Sequence, residues 1–171
     1  MNDNFQSEYK DTESVRKYVS KHNIYSLIFS LGFFIIIVSI IPYLLIISEK
    51  IEDRILPSLI VFLIGLIMVL TGNFSKRKLK EKQANKYTVA ASEFIDLEKE
   101  NMRSAFRKDL IIAILLIVLV PIIYYIIYSN THMLAENYNK YIKSVLILIL
   151  ALAVFIILYS KGKKEAYSSL I

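Results

Sequence analysis

Four stretches of the chain run free, or nearly free, of charged residues, and apolar side chains fill every helical face within them. The first covers residues 24–47, between His22 and Glu49, and the second covers 55–75, between Arg54 and Lys76. The third begins after Asp109 and stays apolar to Tyr128; the fourth lies between Lys143 and Lys161. A helix needs about 20 apolar residues to cross a hydrocarbon core roughly 30 Å thick. The first two stretches exceed this, and the third is near the lower limit. The fourth reaches it when it starts at Tyr141 and Lys143 extends its amine toward the headgroups. A helix that is apolar all round has no polar face to turn to water, unlike a surface helix. The pattern therefore predicts an all-α polytopic membrane protein with four transmembrane helices. The first stretch is longer than a signal-peptide core and follows a polar tail, so it is expected to be a retained span.

The spans fall into two matching hairpins. Residues 35–43 (IIIVSIIPY) resemble 114–122 (ILLIVLVPI), which puts Pro42 and Pro121 at equivalent depths. At the same offset, Val15 and Tyr18 match Phe94 and Leu97, and both halves end in basic residues after a serine, at 75–78 and 160–164. Two spans per unit make this a parallel repeat about an axis along the membrane normal. The expected organisation is an N-terminal tail (1–23), a transmembrane hairpin (24–75), an amphipathic linker (76–109), a second hairpin (110–160) and a solvated tail (161–171). Within the linker, Tyr87, Ala91, Phe94, Ile95, Met102 and Phe106 recur at helical spacing, opposite Glu93, Asp96, Glu100, Arg103 and Arg107.

Charge sets the orientation. Every one of the 21 Lys and Arg residues except Lys50, Arg54, Lys140 and Lys143 lies in the tails or the linker. The positive-inside rule then places both termini and the linker in the cytoplasm of a bacterial plasma membrane, with the short loops outside. Lys76, Arg77, Lys78 and Lys80 follow a span directly, where contact with anionic lipid is expected. Nucleic acid, the other reading of a basic chain, is not expected as a partner.

Composition then narrows the chemistry. The 171 residues are 56% hydrophobic with no cysteine, which excludes a disulfide scaffold, a thiolate nucleophile and a cysteine zinc site. His22 and His132 fall on opposite sides of the membrane in this topology, so they share no metal and no catalytic task. The spans hold no ionisable residue, whereas proton relays and ion paths require them. Their polar groups are Ser26, Ser30, Ser39, Ser58 and Thr71, which can bond their own helix backbone. Gly65 and Gly72 suit close helix packing. No catalytic, metal or cofactor-binding residue is expected, and the chain is not read as an enzyme. Tyr43, Tyr124, Tyr125, Tyr128, Tyr138 and Tyr141 gather at the outer boundary, as an aromatic belt or as a rim that meets a partner.

The layout of basic tail, proline-bearing span, return span, charged amphipathic segment and second pair resembles small four-span integral membrane proteins of low-GC Gram-positive bacteria. The resemblance implies a permease-like layout and carries no specific motif. Small proteins of similar layout also occur as self-immunity proteins beside membrane-active peptide bacteriocins. The expected function is a non-catalytic interaction protein that binds lipids and a membrane protein or peptide, with homo-oligomerisation open. The alternatives are a transport component working as an oligomer or with a separate ATPase, and a membrane-tethered regulator of a cytoplasmic factor.

Overall fold

The computed structural model describes residues 2–48, 50–83, 89–130 and 136–170, with side chains for 12–48, 50–82, 93–129 and 138–170. The elements are α1 (Asn2–Val38), α2 (Ile40–Leu45), α3 (Ile51–Gln83), α4 (Val89–Asn130) and α5 (Glu136–Ser168), with no strand among the described residues. Four helices are long and apolar enough to cross a membrane, so the chain is an all-α, multi-pass membrane protein. All four overshoot the bilayer. The 42 residues of α4 rise about 63 Å, twice the hydrocarbon thickness.

The helices pack in the spatial order α3–α1–α5–α4. The first helix lies against α3 on one side and α5 on the other, and α5 also carries α4. The short α2 rests on α3 and α5. Contact between α1 and α4 is slight, and among the described residues the α3 backbone stays clear of those of α4 and α5. The result is an open layer with α3 and α4 as its edges. Only 6% of the most apolar window of α4 is buried within the chain, against 22% for α1 and α5.

Small residues bring the inner helices together. A Cβ added at Gly32 would lie 2.8 Å from the carbonyl oxygen of Gly65, and the reciprocal contact is also 2.8 Å, so α1 and α3 cross nearly backbone to backbone. Where α5 meets α1, a Cβ at Gly162 would lie 2.4 Å from the Cβ of Ser26. Ala113 on α4, with Ala151 and Ala153 on α5, is fully buried. In lipid the hydrophobic effect does not separate one apolar helix from another, so close approach of small residues supplies much of the association.

At the end that carries both termini the architecture changes. Val15, Tyr18 and Val19 of α1, Ile95 of α4 and Ala166 of α5 form a buried cluster, flanked by Leu79 of α3 and by Phe94, Tyr167 and Leu170. All four long helices contribute to it. The amphiphilic ends thus close into a small core of the kind found in water-soluble bundles. Burial of Ile95 there is worth about 2 kcal/mol.

Three expectations need correction. The residues after Lys161 are not a solvated tail: α5 continues to Ser168, Ala166 is fully buried, and Tyr18 Oη lies 2.8 Å from Ser169 Oγ. Ser169 Oγ donates to the Ala166 carbonyl, so the Tyr18 hydroxyl donates to Ser169. Between 76 and 109, α3 runs on to Gln83 and α4 begins at Val89, so the described parts of this stretch are the ends of two spanning helices. The matched positions of the two halves also differ. Pro42 lacks the N–H that would bond the Val38 carbonyl, and α1 ends at that residue, whereas α4 passes through Pro121 unbroken. Tyr18 is buried, while its counterpart Leu97 is 64% exposed.

Candidate functional site

The tyrosines expected on the outer boundary lie on three elements at the end away from the termini: Tyr43 on α2, Tyr124, Tyr125 and Tyr128 near the end of α4, and Tyr138 and Tyr141 at the start of α5. All six are exposed, from Tyr124 at 39% to Tyr125 at 72%. Tyr124 and Tyr128, one helical turn apart, stack with ring centroids 6.0 Å apart. Because α5 touches both α2 and α4, the six hydroxyl-tipped rings line one end of the α2–α5–α4 side of the layer. Nearby, Ser48 donates to Asp53 at 2.7 Å. Arg54 Nε and Ser58 Oγ are buried without partners.

The four basic residues after the second span have different surroundings. Lys76 is half-buried, and its ammonium sits 4.1 Å above the Phe29 ring of α1. Lys78 lies 4.5 Å over Phe74 of its own helix. Arg77 and Lys80 are exposed. The other helices repeat the device, with Lys163 over Tyr159 at 4.3 Å, Lys164 over Phe106 at 5.0 Å and Arg16 over Phe94 at 5.8 Å. A cation over an aromatic face is stabilised by about 0.5–1 kcal/mol at exposed sites.

Among the small hydroxyls, Ser30, Ser39 and Thr71 donate to carbonyls of their own helix at 2.6–2.8 Å, as expected. Ser26 differs: its Oγ lies 3.4 Å from Nδ1 of the fully buried His22, whose Nε2 has no partner. In sequence His22 reads as the border of the first stretch and as a histidine without a metal-binding companion, and nothing there marks it as buried. One turn further along α1, Ser26 meets Gly162 of α5, a residue that reads in sequence as part of a tail. Asn23 was also missed. Its Oδ1 is buried and unpartnered, and it lines two cavities beside α5. Among the described residues, no group of three His, Cys, Asp or Glu side chains is placed to hold a metal ion. His132 lies outside them.

These features define a class: a polytopic helical membrane protein whose spans form an open layer, closed at one end by a small packed core. No family model, curated protein or solved structure matches the chain.

Proposed function

We propose that the chain is a non-catalytic interaction protein of a bacterial plasma membrane. In this reading both termini and the packed core lie in the cytoplasm, and the tyrosine end faces outward. The asymmetry of the basic residues supports the orientation. The observation that carries the reading is the set of exposed tyrosines on α2, α5 and α4, above the exposed apolar flank of α4. A ring that is apolar in body and polar at its tip suits an amphipathic peptide or the end of another membrane protein. A membrane-active peptide is the favoured partner, which makes the role resemble bacteriocin immunity. The basic residues following α3's apolar stretch then rest against anionic headgroups.

Expression in a sensitive host tests the proposal. The chain is expected to raise the tolerated dose of a peptide made by its own strain. The triple substitution Tyr125→Ala, Tyr128→Ala, Tyr141→Ala is expected to remove that protection while the protein still reaches the membrane. Unchanged sensitivity to every such peptide overturns it.

A further inference from the structure

Helix α3 forms one edge of the layer, and its outward side carries a regular pattern. Leu56, Ile60, Leu63, Ile67, Leu70 and Phe74 are all exposed, from Leu63 at 46% to Ile67 at 62%. They recur at alternating intervals of four and three residues, and the exposed Arg77 and Glu81 continue the series. This is a heptad repeat, with Ile60, Ile67 and Phe74 at its first core position and Leu56, Leu63 and Leu70 at its second. Isoleucine at the first and leucine at the second favour two parallel strands. The stripe rises about 38 Å, enough to cross the hydrocarbon. The other side of α3 is already occupied. Gly65 and Gly72 press on Gly32 and Phe29 of α1, and the Lys76 ammonium lies over Phe29. At 3.6 residues per turn the stripe falls about 160° round the helix from these residues, so a helix seated on it is clear of α1.

The stripe also has a charged end. Neither Arg77 nor Glu81 has an ion-pair partner among the described residues. Within one helix, a cation four residues before an anion is the weaker order for a pair. In a parallel pair of helices each core side chain enters a hole formed by four residues of the facing helix. The hole that receives Glu81 contains Arg77 and Lys80 of the second copy, so the lone acid of this basic run meets two cations.

We propose that a second copy of this chain occupies the stripe, with α3 against α3 in a parallel, left-handed pair. Both copies insert the same way, so the two-fold axis lies along the membrane normal. Left-handed crossings of this kind are common between spanning helices. Hydrocarbon alone makes no demand on the alternation of isoleucine and leucine or on the placing of Glu81. The two layers join edge to edge, and the tyrosines of α4 and α5 stay away from the contact. The dimer therefore does not depend on what those rings bind.

Disulfide trapping in membranes tests the contact, in a chain with no cysteine of its own. A disulfide needs Cα atoms within roughly 7 Å, which such a pair achieves only along its seam. The single variants I67C and L70C are expected to form dimers on oxidation. M68C, beside the seam, and L115C and V118C, on the equally exposed edge helix α4, are expected to stay monomeric. Photobleaching of the otherwise unaltered full chain, labelled at its C-terminus in lipid vesicles, is expected to show two steps. Glu81→Arg is expected to weaken the dimer about tenfold, through two lost pairs, and R77E/E81R to recover it to within about threefold. A single photobleaching step throughout overturns the proposal. So does trapping at positions 115 and 118 in place of 67 and 70, a trapped product that contains another polypeptide, or an R77E/E81R dimer no tighter than that of E81R.

Discussion

Gly162 meets Ser26 where α5 crosses α1, and a Cβ there would lie 2.4 Å from the Ser26 Cβ and 2.5 Å from its Oγ. A Cβ cannot rotate away, so Gly162→Ala must push the helices apart. We predict a loss of about 1–3 kcal/mol in reversible unfolding in detergent, the usual cost of overpacking. The double variant S26G/G162A moves the small residue to the other helix and is predicted to be more stable than G162A alone. Additive losses would show that the two positions do not couple. His22, one turn from Ser26, gives the opposite sign. Its side chain is fully buried, Nε2 has no partner, and the 3.4 Å approach to Ser26 is long. Replacing such a group with an apolar one of similar size removes a desolvation penalty. His22→Leu is predicted to leave stability unchanged or to raise it by about 1 kcal/mol in the same assay.

At the scale of the elements, the ends of the helices hold one another. Ala166 is fully buried against Val15, Tyr18, Val19 and Ile95. Ala166→Asp would place a carboxylate among these side chains with no described cation in the cluster. We predict that amide exchange accelerates across residues 12–20 while residues 24–38 stay protected, because the latter pack on α3 and α5 independently. Exchange that rises equally in both segments would show a single cooperative unit. These ends also mark where the sequence stopped being readable. The four spans follow from charge-free runs, since lipid accepts little else. The helical extensions carry mixed charge, and a polar helix end looks like a loop or a tail until a partner is known. Ile95 and Phe94 were recognisable by spacing. Tyr167 and Leu170 were not, because their partners lie about 150 residues earlier in α1. The tyrosines could be located by depth alone, whereas Asn23 owes its place in a cleft to α5, which only tertiary packing supplies.

For the whole molecule, the two ends must lie in different surroundings. One end joins all four long helices around a buried cluster, with Lys, Arg, Asp and Glu covering its outside, an arrangement that hydrocarbon would penalise and water accepts. The middle is an open layer with α3 and α4 each supported on one side, and its exposed Ile and Leu residues suit lipid. Helices of 33 to 42 residues reach through about 30 Å of hydrocarbon with the surplus gathered at the packed end. That end also carries most of the basic residues, so in the proposed orientation the surface that needs water is the cytoplasmic one. We therefore predict that single cysteines at Asp53 and Asn137, introduced into a chain that has none of its own, react with a membrane-impermeant maleimide on intact cells. One at Gln83 is predicted to react only after permeabilisation. Labelling of Gln83 in intact cells would invert the molecule. It would place the packed core outside and turn the tyrosines inward, and an incoming peptide would then meet the charged bundle rather than the aromatic rim.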